Sequence, residues 1–170
     1  MKSQLLCLLW KSLASMCVLL LFLISCSPSS KGPDCGSAEI LCIGLVTDVG
    51  SIKDKSFNQS TWEGVKQAET KLGAHTSYIE TKDAKDYMAN VELFAKKKFD
   101  IIVTVGFGLG ETTMNAARKY PQIKFIGVDQ FQPKAIPNVA GLIFHEDRAG
   151  FMAGALAAML NKSDTIAAVL

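Results

Sequence analysis

The segment Thr47-Asp48-Val49-Gly50-Ser51-Ile52-Lys53-Asp54-Lys55-Ser56-Phe57-Asn58-Gln59 gathers a carboxylate, an aromatic ring and a carboxamide between an apolar run and an amphipathic one. A ring with amide and carboxylate neighbours suits a flat ligand with a polar rim. Stacking holds the plane, and an asparagine offers the rim a donor and an acceptor. Asp48, Phe57 and Asn58 are therefore candidate ligand-binding residues. Two of them also have a plainer reading: Phe57 has the spacing of a core residue of the helix it opens, and Asp48 could cap a turn in the loop.

A second segment, Gly106-Phe107-Gly108-Leu109-Gly110-Glu111, follows an apolar run and opens another helix, with Asp129 roughly twenty residues further on. The arrangement mimics a dinucleotide-binding fingerprint, and three features weaken it. The third glycine comes one position early, with Glu111 where the fingerprint needs glycine. A glutamate at a helix start repels the pyrophosphate that the helix terminus would attract. The segment also follows the third strand and not the first. The glycines more simply let the backbone approach a small ligand closely, and Asp129 is a candidate acceptor for hydroxyl groups. No Ser/His/Asp or Cys/His set is visible, and His75 and His145 have no ligand-spaced partners. The expectation is a binding protein with no catalytic residue, cofactor or metal.

Positioning these residues requires alternating strands and helices. The pattern predicts strands over residues 40–46, 75–81, 100–105, 123–128 and 138–143. It predicts helices over 56–72, 85–97, 111–120 and 148–160. Trp62, Val65, Ala68 or Glu69, and Leu72 mark the inner stripe of the first helix, and Gly73 supplies its stop. Tyr87, Val91, Phe94 and Ala95 do the same for the second. Such alternation specifies an α/β fold, a doubly wound, mostly parallel sheet with helices on both faces. Ligands bind beyond the carboxyl ends of such strands. Asp129-Gln130 and His145-Glu146-Asp147 also fall on that edge.

The amino terminus reads as an export signal. Lys2 and Lys11 flank or precede an uncharged apolar run over residues 13–24, shorter than the about 20 residues a spanning helix needs. Leu23-Ile24-Ser25-Cys26 fits the lipobox of bacterial lipoproteins, with cleavage before Cys26 and lipid on that cysteine. Ser27-Pro28-Ser29-Ser30-Lys31-Gly32-Pro33 then forms a flexible leash. Cleavage removes Lys2 and Lys11, leaving 16 basic against 16 acidic residues. A neutral mature chain argues against nucleic-acid binding, and Lys96-Lys97-Lys98 suits a solvated helix end. Cys7 and Cys17 leave with the signal, so only Cys35 and Cys42 can pair. Export permits a disulfide, but Cys35 in the leash and Cys42 in mid-strand favour a buried free thiol at Cys42.

Residues 165–170 read as a further strand with no place in the first sheet. The organisation expected is a signal peptide over 1–25, a tether over 26–38, one lobe over 39–163 and the start of a second lobe over 164–170, the chain being a fragment or a truncated reading frame. Gly150 and Gly154 give the last helix a small-residue face. That helix is too short to span a membrane and is expected to pack on the sheet or on the second lobe.

Four separated motifs carry a resemblance: Asp48-Val49-Gly50 with Asp54-Lys55-Ser56-Phe57-Asn58-Gln59; Trp62-Glu63-Gly64; Phe125-Ile126-Gly127-Val128-Asp129-Gln130; and Ala149-Gly150-Phe151-Met152-Ala153-Gly154-Ala155-Leu156-Ala157-Ala158. Residues 40–170 resemble the basic membrane protein family, lipid-anchored proteins similar to the purine nucleoside receptors of ABC importers. The resemblance implies the first lobe of a type I periplasmic-binding-protein fold that closes on its ligand by a hinge and performs no chemistry. By the same resemblance, Phe57 stacks on a purine, Asn58 and Asp48 bond its edge, Asp129 meets ribose hydroxyls, and Gly106 and Phe107 line the cleft. A second aromatic would come from the other lobe. The partners implied are a purine nucleoside, an ABC transporter permease and the membrane that holds the lipid. Ser51 departs from the glycine many relatives carry there. Two other classes stand beside this reading: a surface lipoprotein acting in adhesion, and a secreted enzyme using a nucleotide.

Overall fold

The computed structural model describes residues 33–168; the expected signal peptide, the expected lipid site at Cys26 and residues 169–170 lie outside the described residues. Five strands form one sheet, β1 (Cys42–Val49), β2 (His75–Thr81), β3 (Ile101–Val105), β4 (Lys124–Val128) and β5 (Val139–Leu142), in the order β2-β1-β3-β4-β5. Every pairing is parallel, in registers such as Leu45 with Tyr78, Val46 with Thr104 and Ile126 with Ala140. The helices are α1 (Phe57–Leu72), α2 (Tyr87–Lys96), α3 (Gly110–Lys119) and α4 (Glu146–Leu160), with single 3-10 turns leading into α2 and α3.

Parallel strands are covered on both faces and so are apolar throughout. Residues 42–47 of β1 are all buried. On one face Val46, Ile102 and Phe125 pack with Val91 and Phe94 of α2 and Ala116 of α3. On the other, Ile43, Leu45, Val103 and Val128 pack with Val65 of α1. Gly73 ends α1 in the left-handed conformation, its N–H donating to the Glu69 carbonyl at 3.1 Å.

The structure corrects four expectations. First, Cys35 and Cys42 form a disulfide, with Cα atoms 5.5 Å apart. Cys42 opens β1 and does not lie in mid-strand. The turn before it, with Ser37 N–H donating to the Asp34 carbonyl and Gly36 N–H to the Asp34 carboxylate, brings Cys35 back over it. The pair is buried in the cluster that contains Phe94 and Phe99. Second, β1 continues past Val46 to Val49, because the buried Thr47 hydroxyl accepts from the Thr81 N–H at 3.1 Å and carries the pairing on to Val49 with Thr81. Third, Leu72 is exposed, since it is the last residue of α1 and lies beyond the core stripe. Fourth, residues 165–168 form no strand, having no partner to complete a ladder among the described residues.

The apolar helix α4 does not pack on the sheet. Phe151, Met152, Leu156, Met159 and Leu160 are exposed by 57 to 82%, and neither Gly150 nor Gly154 meets any atom within 4 Å of a Cβ position. Among the described residues no helix is long and apolar enough to cross a membrane.

Candidate functional site

The strand order reverses between β1 and β3, and that switch point is where the crevice of such a sheet opens. Asp48 stands at the carboxyl end of β1, and its Oδ1 accepts from Asn58 Nδ2 at 2.8 Å. Asn58 belongs to the first turn of α1 and is 3% exposed. Its Oδ1 is buried without a donor. Leaving such an acceptor unmet costs about 1–3 kcal/mol, so the position is suited to a donor supplied from outside the chain.

The loop that brings α1 to Asp48 is held at both ends. Asp54 accepts from the backbone N–H groups of Ser56 at 2.8 Å, Gln59 at 3.0 Å and Asn58 at 3.1 Å, capping α1 from outside its first turn. Desolvation raises the Asp54 carboxyl, but the hydrogen bonds from Gln59, Ser56 and Asn58 outweigh it and hold the group below its ordinary value. At the other end, Glu80 of β2 accepts from Ser51 Oγ at 2.7 Å and from the Ile52 N–H at 3.0 Å. Those bonds lower its carboxyl too.

Phe57 begins α1 and is 38% exposed, so it is not a core residue. Its ring meets that of Phe144 at 5.3 Å between centroids, tilted by 51°. Gly106 follows β3 with φ +94°, and its N–H donates to the Val128 carbonyl at 2.9 Å. A Cβ there would stand 2.9 Å from Asp48 Oδ2, so conformation and clearance both require glycine. Phe107 projects into solvent, 84% exposed. Asp129 directly follows β4 in the left-handed region with φ +59°, uncommon for a residue with a side chain and concentrated at functional sites. Desolvation, then the charge of Glu146, raises its carboxyl above the usual range.

Asp48, Asn58 and Gly106 therefore form one contacting group. Phe57 flanks it through the same turn of α1, while Phe107 and Asp129 stand on the adjacent carboxyl ends of β3 and β4. One neighbour was not foreseen. Phe144 lies just past β5, where only a lone aromatic in an apolar stretch marks it. Gln130, expected on this edge beside Asp129, is 2% exposed, a burial that nothing in a one-dimensional pattern announces. A groove of about 660 Å³ opens on the α1 face of the sheet, walled by Phe57, Val103, Val128, Leu142 and Phe144. It is apolar, and Asp48, Asn58 and Asp129 do not line it.

Comparison with known proteins places this chain in a family. Residues 43–170 match the family described as Bmp, ABC transporter substrate-binding protein PnrA-like. The chain is 32% identical over 126 residues to the "ABC transporter nucleoside-binding protein BmpA" of Lactococcus lactis, covering 72% of this chain and 36% of that protein. It is 30% identical over 151 residues to "Basic membrane protein A" of Borreliella burgdorferi, covering 88% and 43%. Among solved structures, an ABC transporter solute-binding protein from Aeropyrum pernix is 26% identical with a TM-score of 0.64, covering 69% of this chain and 32% of that one. The chain thus spans well under half the length of these relatives. A parallel α/β lobe with an aromatic, amide and carboxylate edge, matched over most of its length, belongs to the Bmp family of PnrA-like ABC transporter substrate-binding proteins.

Proposed function

We propose that this chain supplies the anchor and first lobe of a receptor that captures purine nucleosides for an ABC importer. The observation that carries the reading is the Asp48–Asn58 pair beside the part-exposed Phe57 ring, with one buried amide oxygen left without a donor. Phe57 stacks on one face of the base. Asn58 and Asp48 meet its N–H groups, Asp129 accepts from ribose hydroxyls, and Gly106 and Phe107 form the wall between them. The printed description of the Lactococcus lactis relative as nucleoside-binding supports the choice of ligand.

The relatives' greater length supports a second lobe, beginning in this chain at residues 164–170, that closes on the first by a hinge. The exposed apolar side chains of α4 suit burial against that lobe. Lipid on Cys26 holds the receptor to a membrane near the permease; several relatives carry the name lipoprotein. Binding and release require no cofactor and no covalent step.

Isothermal titration of the full-length protein with guanosine, adenosine and ribose tests the reading. Heat with the nucleosides and none with ribose is expected. Heat with ribose alone, or turnover of a nucleotide, would reject it. The isolated 170-residue chain is expected to bind weakly or not at all, and micromolar affinity there would contradict the two-lobed clamp.

A further inference from the structure

Gln130 has no assigned part in ligand capture, and its side chain is hydrogen-bonded to the carboxyl end of β3. It is 2% exposed. Its Nε2 donates to the Gly106 carbonyl at 3.0 Å and to Thr104 Oγ1 at 3.1 Å, with the Thr104 carbonyl at 3.4 Å. Thr104 Oγ1 in turn shares a 2.7 Å hydrogen bond with Thr113 of α3. The Gln130 N–H donates to the Leu142 carbonyl of β5 at 3.2 Å. One residue thereby joins the ends of β3, β4 and β5.

The neighbouring sequence makes room for this amide. A Cβ on residue 127 would lie 2.2 Å from Gln130 Oε1, and one on residue 141 would lie 2.4 Å from the Gln130 carbonyl oxygen. Both positions are glycine. Two consequences reach the crevice. Gly106, held by Gln130, is the backbone against which the Asp48 carboxylate rests. Asp129 is held left-handed between Val128, whose carbonyl accepts from Gly106, and Gln130, tied to β5. A strained backbone conformation persists only where its surroundings over-determine it.

We infer that Gln130 is a positioning residue that sets the spacing of Asp48 and Asp129 across the crevice by bonding the Gly106 carbonyl and anchoring the end of β4. The inference concerns geometry and rests on the proposed function only for its meaning in binding. It predicts that losing the amide donor displaces both carboxylates together while β1 and α2 keep their packing.

The test uses the full-length protein and Gln130→Met, which keeps length and removes the donor, with Gln130→Leu as a second variant that likewise cannot donate to Gly106. Without ligand, carboxyl-carbon NMR signals are assigned through Asp48→Asn and Asp129→Asn. The Gly106 amide and the Asp48 and Asp129 carboxyl signals are expected to move in either folded variant, while signals of Val91 and Phe94 stay in place. Unmoved carboxyl signals in a folded variant would overturn the inference. Guanosine affinity is then expected to fall about ten- to a hundredfold in Gln130→Met, and to fall much less when the change is made on the Asp48→Asn background. Strictly additive losses would reject action through Asp48. If the unaltered protein binds no purine nucleoside, the proposed ligand fails, and the NMR arm still decides the role of Gln130.

Discussion

Gly106 and Asp48 meet across the switch between β3 and β1, so closely that a Cβ on residue 106 would stand 2.9 Å from Asp48 Oδ2. Gly106→Ala must accommodate both that contact and φ +94°. The expected cost is about 1–3 kcal/mol of stability, measured by urea unfolding, together with weaker nucleoside binding as Asp48 is pushed from Asn58. A variant of unchanged stability and affinity would show that the contact relaxes freely.

The Cys35–Cys42 bond closes a short loop onto the first residue of β1. Chain-entropy reasoning assigns such a loop about 2.5 kcal/mol. The Cys35→Ala, Cys42→Ala double variant is expected to unfold at correspondingly lower urea concentration, and adding a reductant should lower the midpoint of the native protein and leave the double variant unaffected. Two free thiols in the denatured, unreduced native protein would refute the pairing.

Asp129 and Asp54 tie stability to pH in opposite senses. Burial and Glu146 raise the Asp129 carboxyl, so its contribution is fully present below the usual carboxylate pKa of about 3.9 and is lost as pH rises through its folded value. Asp129→Asn, a residue that tolerates the left-handed region, is therefore expected to stabilise the protein at pH 7 by on the order of 0.5 kcal/mol after solvent screening, with no gain at pH 3. The same change should weaken nucleoside binding. Asp54, lowered by its backbone hydrogen bonds, contributes above the unfolded carboxylate value and loses that contribution as pH falls through its folded one. Asp54→Ala should cost about 1 kcal/mol at pH 7, a difference that fades below about pH 4. Thermal unfolding of both variants across this range checks the two signs.

The parts of this architecture that follow from periodicity were legible in the sequence. The buried run of β1, the stripe at Val65, the inward Val91 and Phe94, and the Gly73 stop all appear where apolar spacing puts them. The parts set by side-chain hydrogen bonds were not. The Asp34 turn that returns Cys35 to Cys42, the Thr47 hydroxyl that prolongs β1, and the Gln130 amide under the crevice join residues distant in sequence or use polar atoms whose burial no pattern announces. Asp48, Asn58 and Gly106 were each identifiable at a strand or helix end, but their mutual contact required the strand order β1-β3. The last helix illustrates the converse: its apolar composition promised packing, and no surface among the described residues receives it.

The central claim is that this edge stacks and hydrogen-bonds a purine nucleoside, and the most direct measurement compares guanosine binding by the full-length protein with binding by Phe57→Ala in a calorimeter. Aromatic stacking on a base is worth about 1–3 kcal/mol, so the variant is expected to bind about five- to 150-fold more weakly with its folding intact. No heat with any purine nucleoside, or equal affinity in the two proteins, would contradict the account.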